Sequence, residues 1–321
     1  MTERFLLADV GGTNTRVGLG GVDGLEPDSV QSFHNAGQGG LAPILSAYLD
    51  LHPGAVTALC AGVAGPVRDG NAQLTNLDWF IDANALQAAT GAAAIHLIND
   101  LQAQGYALDD LPRDCITTIF PGAPPPPDAT RLVMGLGTGC NIAVVHNTPQ
   151  GLLVPASETG HSSLPHMEGT AGEFIAHLSQ TQFHKPIEAA ISGPGLSRIR
   201  RFLTGETVTP ADIIAAYGTD SDAAADSLRL FAEILGTIAG NIALAHLPVG
   251  GFYFIGSTAR AVVPYLGDLG FINHFTAKGP YTQIMQDIPV YLIDDDSAAL
   301  HGCARYLRQR LSPSGNGMVT G

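Results

Sequence analysis

Phe5-Leu6-Leu7-Ala8-Asp9-Val10-Gly11-Gly12-Thr13-Asn14-Thr15-Arg16-Val17-Gly18-Leu19 is an apolar run, a glycine-rich polar bend and a second apolar run. Two β-prone runs joined by such a bend read as a β-hairpin. The scheme returns in the second half of the chain as Leu132-Val133-Met134-Gly135-Leu136-Gly137-Thr138-Gly139-Cys140-Asn141-Ile142-Ala143-Val144-Val145. Glycine tolerates positive φ and lets a ligand come within hydrogen-bond reach of backbone N–H groups, so both bends suit phosphate oxygens. One bend in each half points to a polyphosphate held between two lobes.

The surrounding pattern is α/β. Apolar spacing predicts a helix over 41–51 and a strand over 56–63, and Asp69-Gly70 is a turn leading into 71–75. Asp82 is placed to cap a helix reaching Ala89, and 94–98 is a strand that runs straight into Asn99-Asp100. Strands alternating with helices imply a mixed or parallel sheet. Pro124, Pro125, Pro126 and Pro127 make a stiff surface segment before the second hairpin, either a loop or a joint between domains.

Beyond it the pattern turns helical, over 168–180, 194–203, 210–217 and 222–246. In the last of these, Leu228, Phe231, Leu235, Ile238 and Ile242 keep helical spacing and mark a core helix. A strand over 252–255 enters a Gly256-Ser257-Thr258 turn and a helix reaching Leu266. A further strand covers 290–293, and Ser297 is positioned to cap a closing helix to Arg310. The Gly/Ser/Pro-rich tail, 312–321, reads as frayed.

At 321 residues the chain exceeds the usual ~150 of one domain, so two domains are expected. Hydrophobic residues make up 45%, enough for large cores. A net charge of −14 argues against a nucleic-acid backbone or an anionic membrane as partner. It leaves room for a phosphorylated ligand, because backbone amides and Mg²⁺ supply local positive potential. Cys60, Cys115, Cys140 and Cys303 are widely spaced with no C-x-x-C pair, so reduced, packed thiols are expected and neither a zinc knuckle nor a disulfide framework is indicated. Glu3 and Asp9 bound a short apolar stretch that is no secretory signal, and 228–255 is interrupted by Glu233, Asn241, His246 and Pro248. A cytoplasmic protein is expected.

Four places carry candidate chemistry. Asp100 stands where a strand ends, the position at which α/β folds bind ligands, and a carboxylate there can accept the proton of an attacking hydroxyl. Asn99 beside it offers a donor and an acceptor to a vicinal diol, although both residues also suit a helix cap. Glu158-Thr159-Gly160-His161 presents a carboxylate and an imidazole across a tight turn, and Glu188 precedes Ser192-Gly193-Pro194-Gly195 at a helix start. Asp9 interrupts an apolar strand; a Mg²⁺ ion, or its water shell, next to phosphates would account for a carboxylate there, as would a hydrogen bond to its own turn.

In order and spacing, Asp9-Val-Gly-Gly-Thr-Asn14, Leu97-Ile-Asn-Asp100, Gly135-Leu-Gly-Thr-Gly139, Glu158-Thr-Gly-His161, Glu188 and Ser192-Gly-Pro-Gly-Leu196 resemble the bacterial glucokinase family, of the sugar-kinase and actin-like ATPase superfamily. The resemblance implies a two-lobed actin-like ATPase (ribonuclease H-like) α/β fold. A smaller α/β lobe, 1–110 completed by the C-terminal helix 298–321, and a larger α+β lobe, 111–297, would flank a cleft.

It further implies glucose and ATP as substrates, with Asp100 the general base for the glucose 6-hydroxyl and Asn99, Asp100, Glu158, His161 and Glu188 holding the sugar. Ala8, Asp9, Val10, Gly11, Gly12, Thr13 and Asn14, with Gly137, Thr138 and Gly139, would cradle the ATP phosphates. Asp9 would lie near Mg²⁺, through water. No structural zinc is expected, since the Cys-rich motif of the repressor–kinase branch is absent, and a homodimer is expected from the resemblance.

Two stretches depart from the family pattern. Gly256-Ser257-Thr258-Ala259 stands where relatives usually have a second glycine, an aliphatic residue and proline, and the second bend continues Cys140-Asn141 instead of Leu-Gly. Kinases for mannose, fructose or an amino sugar, and a non-catalytic sugar sensor, are the alternative readings. The sensor would need a basic DNA-binding element, against a net charge of −14.

Overall fold

A computed structural model describes residues 3–74, 77–178, 184–219 and 221–311. The expected frayed tail, 312–321, and the ends of two expected segments at Thr75 and Gln180 lie outside the described residues. The chain divides into two compact units, one of Met1–Pro112, Thr148–Ala156 and Asp295–Gly321, the other of Arg113–Asn147 and Ser157–Asp294.

The first unit opens with β1 (Phe5–Val10), β2 (Asn14–Gly21) and β3 (Gly24–His34), followed by α1 (Leu41–Leu51) and β4 (Ala58–Val63). A small antiparallel sheet comes next: β5 (Val67–Arg68), β6 (Asn71–Gln73) and β7 (Phe80–Asp82). Then come α2 (Ala83–Thr90), β8 (Ala94–Asn99) and α3 (Asp100–Ala107). The main sheet has the order β3-β2-β1-β4-β8, antiparallel through β1–β2–β3 and parallel through β1–β4–β8. Because β1 is central, both of its faces are buried, and it reads as one continuous apolar run broken by Asp9. Leu6, Ala8 and Val10 join Ile44, Leu45 and Tyr48 of α1 in one core.

The second unit contains β9 (Ile116–Phe120), β10 (Arg131–Leu136) and β11 (Cys140–Thr148); β12 (Gly151–Leu153) lies in the segment returned to the first unit. Helices α4 (Gly169–Leu178), α5 (Gly193–Thr204), α6 (Pro210–Tyr217) and α7 (Asp222–His246) precede β13 (Phe252–Ile255). Short helices α8 (Ser257–Val262), α9 (Phe271–Thr276) and α10 (Thr282–Gln286) lead to β14 (Val290–Ile293), and α11 (Ala298–Leu311) closes the described chain. Within this unit the strands follow the order β11-β10-β13-β14-β9, with an antiparallel hairpin at one side and parallel β10–β13–β14 beside it. Each unit therefore builds its sheet on the same device, a hairpin whose first strand also pairs in parallel.

Local chemistry accounts for many of the boundaries. Asp82 caps α2 by accepting from the Ala85 amide at 2.8 Å, and Thr209 caps α6, whose first residue is Pro210. α7 is the helix expected in the core: Leu228, Phe231, Leu235 and Ile238 are buried. Among the described residues it is also the helix long and apolar enough to cross a membrane, with most of its apolar stretch packed inside the second unit. α11 packs on α3, β1 and β4 of the first unit, where the Cys303 thiol donates to the Ala8 carbonyl at 3.7 Å. Its start is set by Asp295, whose carboxylate accepts from the Ser297 amide at 2.6 Å, while the Ser297 carbonyl accepts from Leu300 and His301. α8 begins at Ser257, so the expected turn before it is shorter than the sequence suggests.

Candidate functional site

In the first unit, register brings the candidate base and the first bend to one edge of the sheet. Val10 pairs with Val63, and Val63 with Asn99, so the three parallel strands end level with one another. At the usual strand spacing, Asn99 lies two strands, about 10 Å, from Val10. The carboxyl edge of parallel strands is where α/β sheets receive ligands.

Asn99 and Asp100 leave that edge as the start of α3. Asn99 is buried; its side chain accepts from the Leu101 amide at 3.0 Å, and its own amide donates to Gln102 Oε1 at 3.0 Å. Gln102 is held in turn by donating to the Val154 carbonyl at 2.8 Å. The pair caps a helix, as one expectation had it, and stands at the carboxyl end of the parallel strands. Asp100 Oδ1 accepts from the Leu101 amide at 2.9 Å, in a helical first turn that favours a negative charge.

Asp9, one residue before the end of β1, lies opposite Arg16, and their side chains approach to 3.5 Å. Arg16 also reaches Asp296 at 3.5 Å. The Asp9 side chain is 16% exposed. Burial raises its pKa from 3.8 to about 6, against the opposing pull of Arg16. Among the described residues the amides of Gly12 and Thr13 find no acceptor, while the Gly11 amide donates to the Asn14 carbonyl at 3.1 Å. The bend therefore leaves two backbone donors without a partner among the described residues, beside a largely buried carboxylate.

In the second bend, likewise, the amides of Thr138 and Gly139 find no acceptor among the described residues, and the anchorage is firmer. Gly137 O accepts from the Gly193 amide at 2.8 Å and from Thr258 Oγ1 at 3.0 Å, which ties the bend to the starts of α5 and α8. Thr258 belongs to the stretch that departs from the family pattern, and here its hydroxyl is part of the bend's support.

Glu158, His161 and Glu188 come together around this bend. His161 Nδ1 stands 3.9 Å from Glu188 Oε1. A Cβ added to Gly139 would stand 2.8 Å from Glu188 Oε2, so the missing side chain is what admits the carboxylate. Gly160 sits so close over the Cys140 carbonyl that no larger residue fits. The turn Thr159–His161 is closed by the His161 amide donating to the Glu158 carbonyl at 3.0 Å, and Ser162 O accepts from Ile187 at 2.8 Å. Ser192 caps α5 and donates to the Glu188 carbonyl at 2.6 Å, fixing the turn that carries Glu188.

Sequence reasoning missed two supports. His184 Nε2 lies 2.7 Å from the His161 carbonyl. Asn141 Nδ2 donates to the Ser157 carbonyl at 2.6 Å and approaches Glu158 Oε2 at 3.4 Å. The signal available for the second was a polar residue at the start of an otherwise apolar strand.

Three carboxylates or imidazoles beside backbone donors can grip several hydroxyls of a polyol, and the amides of the bends are of the kind that grips phosphate oxygens. Among the described residues no group of three or more His, Cys, Asp or Glu side chains is placed to hold a metal ion by itself.

The glucokinase family model matches residues 6–310. A glucokinase of Yersinia pestis (strain Pestoides F) is 31% identical over 318 residues, covering 97% of this chain and 98% of that protein. The crystal structure of a glucokinase from an Antarctic psychrotroph superposes with a TM-score of 0.84 at 28% identity, over 96% of this chain and 99% of that one. A Balamuthia mandrillaris glucokinase solved with glucose matches in fold at a TM-score of 0.76 and 18% identity, over 96% and 94% of the two chains. The actin-like ATPase fold that the resemblance implies is present, and the chain belongs to the glucokinase family.

Proposed function

We infer that this chain is an ATP-dependent glucokinase, transferring the γ-phosphoryl group of ATP to the 6-hydroxyl of glucose to give glucose 6-phosphate and ADP. The observation that carries this reading is the contact between Gly139 and Glu188: a phosphate-type bend and a polyol-type cluster are built against each other. Phosphoryl transfer needs little covalent help from the protein, and alignment with charge neutralisation suffices.

In this reading Asp100 accepts the proton of the 6-hydroxyl as its oxygen forms a bond to the γ-phosphorus and the bond to the β-phosphate oxygen breaks. Asn99, Glu158, His161 and Glu188 hold the remaining hydroxyls; once the sugar covers these groups, leaving one of them unpaired would disfavour a wrong epimer by ~1–3 kcal/mol. Ala8, Asp9, Val10, Gly11, Gly12, Thr13 and Asn14, with Gly137, Thr138 and Gly139, line the phosphates.

Asp9 fits a Mg²⁺ role by its chemistry, as a poorly solvated carboxylate beside open amides whose nearest cation, Arg16, stands 3.5 Å away. When bound, Mg²⁺ neutralises phosphate charge; Asp9 would hold it through water. We take residues 1–110 with 298–321 as the smaller lobe and 111–297 as the larger, in a cytoplasmic homodimer.

A coupled ADP-release assay over a panel of hexoses and phosphate donors tests the reading. Turnover is expected with glucose, ATP and Mg²⁺. Turnover confined to another hexose would reassign the acceptor, and none with any hexose would overturn the kinase.

A further inference from the structure

We propose that Asn141 is a positioning residue for Glu158, and through it sets which hydroxyl pattern the protein accepts. The inference rests on the reading of Glu158 as a sugar-binding group.

Glu158 is exposed and precedes a single 3₁₀ turn, so nothing in its own backbone fixes its carboxylate. A free glutamate would sample several rotamers and meet a hydroxyl in only some of them. Asn141 supplies the missing constraint. It is the second residue of β11, and strand alternation turns it away from the buried Cys140 side chain. Its partner across the hairpin is Gly135, which has no side chain to compete for that face.

The orientation of its amide is decided by three neighbours. Asn141 Oδ1 accepts from the Ile142 amide at 2.9 Å, so Nδ2 is the atom that faces the Ser157 carbonyl and Glu158 Oε2. The opposite flip would place an oxygen against two acceptors. The bond to Ser157, at 2.6 Å, holds the backbone immediately before Glu158, and the longer approach, at 3.4 Å, biases the carboxylate itself. Gly160 resting on the Cys140 carbonyl adds a second attachment of the same loop to the same strand start. With Oε2 turned to Asn141, Oε1 is the oxygen presented to a hydroxyl donor.

A double-mutant cycle tests this, with glucose KM, ATP KM, kcat and the glucose-to-mannose ratio of kcat/KM as readouts. Asn141→Ala should raise glucose KM roughly 5–20-fold, leave kcat within about 3-fold and ATP KM unchanged, and lower the glucose-to-mannose ratio. Glu158→Gln should raise glucose KM more, and in that background Asn141→Ala should add less than about 2-fold. Asn141→Ser keeps a donor on the same stem; it should lie between wild type and alanine, and it serves if alanine fails to fold by circular dichroism.

Equal Asn141→Ala effects in both backgrounds overturn the proposal, as do parallel losses in kcat and both KM values. A large Glu158→Gln effect beside silent Asn141 variants overturns it while leaving Glu158 at the sugar. A silent Glu158→Gln removes both.

Discussion

At the register position two residues before the first glycine of each bend, the first unit has Asp9 opposite Arg16 and the second has Gly135 opposite Asn141. The hairpins share their register scheme, so this pair of positions is where they differ in chemistry. A carboxylate and a guanidinium fill the first place, next to a glycine bend, which is an arrangement suited to phosphate and a divalent cation. Absent bulk and a neutral amide fill the second, and the freed face is taken by Ser157 and Glu158. In the proposed reading, this position of the hairpin serves charge in the first unit and hydroxyl geometry in the second.

The sharpest break of that comparison is at the chemistry it serves. Asp100→Asn should lower kcat by ~10²–10⁴-fold with glucose affinity within about tenfold, as expected for loss of a general base. Near-normal turnover in steady-state kinetics would detach the edge of the first sheet from catalysis.

The bends themselves can then be separated. Gly139→Ala drives a methyl group against the flexible end of Glu188, so the protein should fold while KM rises roughly tenfold for both glucose and ATP. Gly11→Ala meets only the Asn14 carbonyl at 3.2 Å and should disturb ATP alone, by a few-fold. If both variants raise only ATP KM, the two bends do the same work and the contrast fails.

Asp9 offers a pH test in the ligand-free protein. Its folded pKa, about 6, lies above the unfolded 3.8, so the folded state binds the extra proton between them. The stability this contributes is complete below 3.8 and is lost as pH rises through about 6. Asp9→Asn mimics the protonated form, so its Tm should exceed that of the wild type by several degrees at pH 7.5 and by less at pH 5, from a difference of up to about 3 kcal/mol. A gap that widens toward low pH would mean that Arg16 outweighs burial.

The smallest effect belongs to Thr258→Val, which removes the hydroxyl donated to Gly137 O at 3.0 Å and leaves that carbonyl with the Gly193 amide. A loss of about 1 kcal/mol, or 2–4 °C in Tm by calorimetry, is expected, with a few-fold rise in ATP KM. An unchanged Tm would make the departing Thr258 incidental to the bend.

Local patterns were legible where a period and its punctuation coincide. Both hairpins, α6, α7, β13 and β14 announce themselves through continuous apolar runs or helical spacing bounded by Gly, Pro or capping residues. Other elements were not. β3 carries Pro27, Asp28 and Ser29 at the edge of its sheet, and its alternation is too polar to stand out. α3 has only eight residues and almost no amphipathic contrast, because Asp100 and Gln102 point to other work while Ala103, Gly105 and Ala107 pack tightly.

Residue types and their spacing along the chain determine the elements, the two glycine bends and the short list of groups able to bind hydroxyls and phosphates. That information is local: a turn needs its own glycines, and a helix needs its own caps. Which of those groups meet was decided only in three dimensions. Gly139 touches Glu188, Asn141 steers Glu158 and Asn99 ends level with Val10 because strand register and close packing join residues that lie far apart in the chain.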